Sequence, residues 1–492
     1  PPPNLNPSRC YRALETRDAR FDGRFFTAVR TTGIYCRPVC PAKCPKLENV
    51  VFYRTAAEAQ VAGFRPCLRC RPESSPRLAT WRGTWSTVSR ALAMIEEGAL
   101  DGEEANAPSL AERLGIGERQ LRRLFDKHLG VSPVAVAQIR RVLLAKQLLH
   151  QTNMSIAEVA LAAGFSSVRR FNAVFLAQVG LAPTSLRRTS RSPSSGTSVT
   201  IQLSYCAPYD WPAVHQYLAA REAEGCERVL AGCYRRSFCL QGEQGTLTVA
   251  PLVGQSAFSL TLQLGQTRLL PSVIARVRRM FDLEADTATI VRHLSKDELL
   301  APIVRAAPGL RVPGAWDGFE QAVRAVLGQQ VSVAAARRLV ALVVAQYGQP
   351  LSPSLQANGL RCVFPEPANL VNQNLEHLPM PKARSLAVAE LAKAALEDPL
   401  LFEWQRYSNL EAAVTRFTSI KGIGDWTAHY IALRALHDPD AFPQGDVALR
   451  RSFNELARTN QASDLGERAE SWRPWRAYAA QYLWRADAGD RG

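Results

Sequence analysis

The sequence reads TTGIYCRPVC at 31–40 and GFRPCLRC at 63–70, so Cys36 and Cys40 lie four positions apart and Cys67 and Cys70 lie three apart. No other feature constrains folding as strongly. Two close cysteine pairs separated by a loop have the ligand spacing of a tetrahedral Zn²⁺ site with four thiolates. Such a zinc can staple a small domain that has too little core, or it can also activate one of its thiolates; the spacing fits both. Eleven cysteines could instead form disulfides in a secreted chain. The paired spacing, the length of 492 residues and the lack of a charged-then-apolar signal pattern at the start favour a reducing, cytoplasmic setting.

The formal net charge is +16 and it is lopsided. Residues 1–192 hold 29 Lys/Arg against 15 Asp/Glu, and the remainder holds 31 against 29. A front half this basic is the footprint of a polyanion binder, with nucleic acid the commonest partner. A merely solvated basic face is the alternative, and arginine clusters on predicted helices weigh against it. The apolar runs are short and carry charges, so no membrane span is expected.

A chain of this length predicts a multidomain protein. Residues 1–80 form a Cys-rich segment expected to be a small α/β zinc domain. Residues 84–190 read as all-α, and 191–198 as a polar linker built on SPSSGTS. From 199 to 285 the alternation in VTIQLSY, TLTVAPL and SLTLQL predicts an antiparallel α+β domain, with a helix on DWPAVHQYLAARE. Residues 286–492 are mostly helical.

Residues 10–75, AVRTTGIYCRPVCPAKCPKLENV and GFRPCLRCRPE within them, resemble the amino-terminal domain of the Ada family of bacterial methyl-phosphotriester acceptors. The resemblance implies that Cys36 accepts the methyl group, that Cys40, Cys67 and Cys70 complete the zinc site, and that Thr32 and Lys43 contact the DNA backbone. Zinc keeps a thiol deprotonated at neutral pH. Attack on the methyl carbon of a phosphotriester gives a stable thioether, so transfer is stoichiometric. It also removes one negative charge from a four-thiolate site, and lower repulsion toward phosphates makes methylation a candidate binding switch. Cys10 and Cys44 have no place in this pattern; Cys44 is expected to be a free thiol, with competition as a ligand the alternative.

SLAERLGIGERQLRRLFDKHLG (109–130) and SIAEVALAAGFSSVRRFNAVFLAQVG (155–180) each read as two short helices around a Gly turn, joined by a long helix. A plain helical domain has such patterns too. Two in tandem, closing on GLAPTSLRR, resemble the AraC-type DNA-binding domain. The second helix of each unit is then expected in the major groove, carrying Glu118, Arg119, Gln120, Arg122 and Arg123, then Ser166, Ser167, Arg169 and Arg170. Promoter DNA is the implied target, and RNA polymerase an expected partner there.

TSIKGIGDWTAHYIALR (418–434) has a G-x-G hairpin whose backbone amides suit a phosphate, with Lys421, Gly422 and Gly424 as expected contacts. Followed by FPQGDVALRR, it resembles the helix-hairpin-helix DNA glycosylases, and the order of further motifs from 199 to 487 narrows this to the AlkA family. That family's catalytic aspartate falls on Asp446; a plain helix N-cap is the alternative role. The backbone-nicking members place a Lys where this chain has Trp426, which implies a monofunctional enzyme leaving abasic sites. Trp426, Tyr430 and Trp484 match the family's stacking residues, and Tyr217 stands where it has Phe. Electron-rich rings attract a cationic alkylpurine such as 3-methyladenine or 7-methylguanine. Gln330 stands where the family has its Leu wedge, which fills the gap left by a flipped base, and Val447 replaces an aromatic. Trp472 and Trp475 are expected in the core, and Asp425 as a cap or surface residue.

The resulting expectation is one chain acting on alkylated double-stranded DNA as methyl acceptor, transcription regulator and glycosylase. A regulator with an inactive glycosylase half and a repair enzyme merely anchored by its basic front are the alternatives. No segment resembles the second methyl-acceptor domain of full-length Ada, so O6-methylguanine repair is not expected.

Overall fold

The computed structural model describes residues 5–72, 75, 87–101, 106–187, 198–373, 375–457 and 465–489. The Cys-rich segment contains α1 (Pro7–Glu15), β1 (Phe26–Val29), β2 (Ile34–Cys36), β3 (Val50–Tyr53), α2 (Ala56–Val61) and β4 (Arg65–Pro66). Its sheet has the order β3-β1-β2-β4, with β1 antiparallel to β2 and β3 and with β2 parallel to β4. The helical segment follows with α3 (Thr87–Glu96), α4 (Ala107–Arg113), α5 (Glu118–Leu129), α6 (Pro133–Gln151), α7 (Ile156–Ala162), α8 (Val168–Val179) and α9 (Pro183–Leu186). Next come β5 (Ser198–Ser204), α10 (Trp211–Ala220), β6 (Glu227–Leu230), β7 (Cys233–Leu240), β8 (Glu243–Pro251) and β9 (Ala257–Leu264). The rest is mainly helical, with one short antiparallel strand pair, Gln349–Pro350 and Cys362–Val363: α11 (Leu270–Met280), α12 (Thr287–Leu294), α13 (Ala301–Ala306), α14 (Gly318–Leu327), α15 (Val333–Tyr347), α16 (Pro367–Leu370), α17 (Lys382–Glu397), α18 (Leu410–Thr418), α19 (Asp425–Arg434), α20 (Val447–Ala457), α21 (Leu465–Glu470) and α22 (Arg476–Gly489).

These elements divide between two compact units. One holds the described residues up to 75, 87–207 and 254–275; the other holds 208–253 and 276 onward. The division runs through the predicted 199–285 domain, leaving β5 and β9 in the first unit and β6, β7 and β8 in the second. The boundary between 80 and 84 and nearly all of the 191–198 linker lie outside the described residues.

In the first unit, Phe25, Phe52, Val50, Ala13 and Cys10 pack into one small core. Cys10, unplaced by sequence, is an apolar filler there. The tandem repeat is real at the backbone level. Gly115 (φ +70) and Gly164 (φ +91) make the two tight turns, and Gly130 and Gly180 end α5 and α8 in the left-handed conformation that a Cβ disfavours. Ser155 and Glu158 form a capping box on α7. The long helix α6 starts at Ser132, whose hydroxyl accepts from the Ala135 amide. Its Lys146 is fully buried and donates to the Cys67 carbonyl at 3.2 Å.

In the second unit, β6, β7 and β8 form an antiparallel meander. The helices enclose one apolar core that includes Phe319, Val323, Val343, Leu391, Phe417, Ile431, Leu449 and Leu483. Trp472 lies in this core and donates its indole N–H to Asp297 at 2.7 Å, and Trp475 packs against its edge, both as the sequence suggests. Arg236 is also buried, held by Glu227 at 3.4 Å and Glu320 at 2.7 Å, and Arg324 reaches Glu227 at 2.8 Å.

Candidate functional site

Strand β2 delivers Cys36, the loop after it Cys40, and the loop after β4 Cys67 and Cys70. Their four sulfurs all lie within 4.8 Å of one another. A tetrahedral Zn²⁺ with bonds of about 2.3 Å needs sulfurs roughly 4 Å apart, so the donor set fits zinc in number, type and spacing. The electrostatics agree. Hydrogen bonding to Cys40, Cys67 and Cys70 pushes the Cys36 thiol far up, while the Cys67 thiol is held down by hydrogen bonds from Cys36, Cys40 and Cys70. Thiols packed this closely share protons among themselves unless a dication takes the protons' place.

Arg37 braces the centre. Its amide donates to Cys70 Sγ at 3.3 Å, its guanidinium donates to the Cys70 carbonyl at 3.1 Å, and the same group is paired with Asp22. Cys36 is partly exposed, whereas Cys40, Cys67 and Cys70 are buried, so the thiolate facing solvent is the one at 36. Cys44 is exposed and does not belong to the cluster, which leaves it the free thiol. Thr32, in the turn between β1 and β2, and Lys43, in the loop after Cys40, are both exposed.

On α5, Arg119, Gln120, Arg122 and Arg123 are exposed, and Arg122 pairs with Glu118 at 2.7 Å. On α8, Arg169 and Arg170 are exposed, with Ser166 just before the helix. Ser167 caps α8 by accepting from the Arg170 amide at 3.2 Å, so its hydroxyl is already engaged.

In the second unit, α19 starts directly after the hairpin and carries Trp426, Tyr430 and Arg434 at four-residue intervals, hence on one face. The rings of Trp426 and Tyr430 stack with centroids 5.2 Å apart at 9°, and Trp484 from α22 meets Tyr430 edge-on at 6.1 Å. Tyr217 from α10 joins the set through Arg434, whose guanidinium lies over its ring and over that of Tyr430. Burial pushes the Tyr217 phenol up to about 12. Burial acts on Tyr430 in the same sense, but the Arg434 and Arg221 charges with hydrogen bonds from Tyr217 and Arg434 outweigh it and bring that phenol down.

Asp446 stands at the head of α20 beside these rings. Its Oδ1 accepts from the Ala448 and Leu449 amides and from the Trp484 indole, each at 3.0 Å, and its Oδ2 accepts from the Trp426 indole at 2.9 Å. The N-cap expected as the alternative role is therefore formed, and the cap fixes the direction in which the carboxylate points. Val447 is strongly exposed next to it.

The hairpin is shaped by Gly422 at φ +90, where an added Cβ would sit 2.4 Å from Ala387 Cβ; at Gly424 a Cβ meets nothing. Lys421 is exposed. Gln330 is exposed at φ +54 between α14 and α15. The residue before it, Gln329, had no assigned role, yet its side-chain amide donates to the Gly422 carbonyl and Thr427 hydroxyl, both at 3.1 Å, and ties this loop to the hairpin. Asp425 is exposed on the first turn of α19, 3.7 Å from His429. Arg434, also unassigned by sequence, follows Tyr430 by four residues on the same helix face and is buried there.

Three stretches of the chain match known family models. Residues 9–73 match the metal-binding domain of Ada, 110–189 a helix-turn-helix domain, and 200–317 the AlkA N-terminal domain. The chain is 40% identical to the probable bifunctional transcriptional activator/DNA repair enzyme AlkA of Mycobacterium tuberculosis over 97% of its own length and 95% of the relative's. It is 34% identical to DNA-3-methyladenine glycosylase 2 of Escherichia coli, covering 57% of this chain and 95% of that one. The solved 3-methyladenine DNA-glycosylase of Archaeoglobus fulgidus shares the fold over 58% of this chain and 98% of its own, with TM-score 0.51 at 23% identity. This chain belongs to the family of bifunctional transcriptional activator/DNA repair enzymes, in which an Ada-type metal-binding domain and a helix-turn-helix domain are joined to an AlkA-type glycosylase.

Proposed function

We propose that the protein answers alkylation damage in three ways: Cys36 takes methyl groups from DNA phosphotriesters, the tandem helix-turn-helix region carries the signal to promoter DNA, and the AlkA-type half excises alkylated purines. The division follows the expected segments 1–80, 84–190, 199–285 and 286–492. Cys36, Cys40, Cys67 and Cys70 would hold Zn²⁺, which when bound keeps the thiolates deprotonated at neutral pH. Cys36, the partly exposed sulfur, forms the new S–CH₃ bond as the phosphate oxygen leaves with the bond pair. Thr32 and Lys43 steady the backbone, and the exposed arginines of α5 and α8 grip phosphates or read guanine edges.

One observation carries the glycosylase reading: a single carboxylate, Asp446, is aimed by two backbone amides and two indoles into a wall of aromatic rings. The flipped base stacks on Trp426, Tyr430, Trp484 and Tyr217 while Gln330 fills the gap it leaves. A base alkylated to a cation is already a good leaving group. Asp446 then has only to stabilise the developing positive sugar and orient water. An indole at position 426 cannot form an imine, so the product is an abasic site. Lys421, Gly422 and Gly424 hold the phosphates of the lesion strand. RNA polymerase is the partner we expect at the promoter, and the cytoplasmic nucleoid the place of action; no described helix is long and apolar enough to cross a membrane.

The test is Asp446→Asn. Base release from methylated duplex DNA should fall by three orders of magnitude or more while duplex affinity changes less than about threefold. Undiminished release would remove Asp446 from this role.

A further inference from the structure

The aromatic wall has a cation built into its back. Arg434 is almost wholly buried. Its guanidinium carbon lies 4.7 Å from the Tyr217 ring centroid, 5.2 Å from Trp484 and 5.6 Å from Tyr430. It is locked there by donating to the Pro313 carbonyl at 2.8 Å and the Gln481 side-chain carbonyl at 3.0 Å. A guanidinium never loses its proton in a protein, so this charge is permanent.

An aromatic ring attracts cations through the negative potential of its faces, which favours a cationic base over a neutral one of the same shape. A fixed cation within 6 Å of three of these rings works against that preference. It draws ring electron density toward itself, and it repels a second positive charge through a medium that screens far less than water. Stacking and dispersion, which do not depend on the base's charge, remain.

On the reading that these rings receive the flipped base, we propose that Arg434 is a specificity-determining residue: it holds the pocket open to uncharged damaged purines by lowering the premium the rings give to a positively charged one. Arg434 does not touch the reacting bond in this account. It acts through Tyr217, Tyr430 and Trp484.

The test compares kcat/KM for a duplex carrying 7-methylguanine, which is cationic, with that for a duplex carrying hypoxanthine, which is neutral. It uses the zinc-loaded full chain and Arg434→Met, Arg434→Gln and Arg434→Lys. The cationic-to-neutral ratio should rise about tenfold in the two neutral variants. It should stay within about twofold of wild type in Arg434→Lys, which keeps the charge. A merely structural residue would lower both substrates together, and an unchanged ratio in the neutral variants would overturn the proposal. So would a chain that folds with Lys at 434 and with neither neutral residue, because that marks a bracket for Pro313 and Gln481 alone. If Asp446→Asn still released both bases at full rate, the excision reading itself would fail, whatever the ratio.

Discussion

At the scale of single residues, the two groups proposed to react, Cys36 and Asp446, are prepared by different means. Cys36 depends on its neighbours' sulfurs and on the charge of the ion they fit. Asp446 depends on directed hydrogen bonds, four of them, two donated by the rings expected to face the base. Cys36→Ala should abolish covalent methyl uptake from phosphotriester DNA and leave base release within about twofold of wild type. Cys44→Ser should change neither, since Cys44 stands outside the sulfur cluster. Mass spectrometry of the protein after exposure to methylated DNA distinguishes the two. Trp484→Phe keeps an aromatic wall but deletes one donor to the carboxylate. A hydrogen bond to a charged group contributes about 1.5–3 kcal/mol, so excision should slow by roughly tenfold or more. An unchanged rate would mean that the indole serves only to stack.

The Cys spacing exposed the metal centre without help, because ligand spacing is a local property of the sequence. Asp446 was harder, since an Asp before VALRR also reads as an ordinary N-cap; the structure shows the cap, and the same carboxylate keeps a second oxygen for the role proposed for it. Arg434 was missed because an arginine in a helical stretch reads as surface, and only its burial behind three rings shows otherwise.

At the scale of elements, the hairpin separates two uses of glycine. Gly422 is required by the fold, since its φ is +90 and an added Cβ would collide with Ala387. Gly422→Ala should destabilise the second unit by about 2 kcal/mol or more and weaken duplex binding as a consequence. Gly424 has an ordinary φ and open space beside it. Gly424→Ala should leave thermal stability unchanged and weaken duplex binding alone, because the new methyl sits where a phosphate would approach. Equal loss of stability in both variants would contradict this assignment. The strands at β5, β8 and β9 were legible from alternation. Strand β7, CYRRSFCL, was not, because its Arg236 points into the core and is neutralised there by Glu227 and Glu320. A buried ion cluster breaks the apolar pattern that sequence reading depends on. The hydrogen bond from Gln329 to the hairpin was equally invisible, since it joins residues 93 positions apart.

At the scale of the whole molecule, the lopsided charge and the two compact units fit a chain that meets DNA through separate sites. The metal centre lies in the first unit and Asp446 in the second. Removing zinc with a chelator should therefore abolish methyl uptake and the methylation-dependent promoter footprint while base release continues at more than about half its rate. Loss of both activities on chelation would show that the halves depend on one metal-stabilised structure. The sequence expectation parts the chain at the 191–198 linker, whereas the first compact unit also takes β5 and β9; motifs held within one segment say nothing of how neighbouring strands group.

The most direct measurement follows one methylated duplex DNA, labelled in its methyl groups, through incubation with the zinc-loaded chain. Labelled purines in free solution and labelled S-methylcysteine at position 36 of the same protein preparation are the expected result. Finding neither released purine nor label on the protein would contradict it.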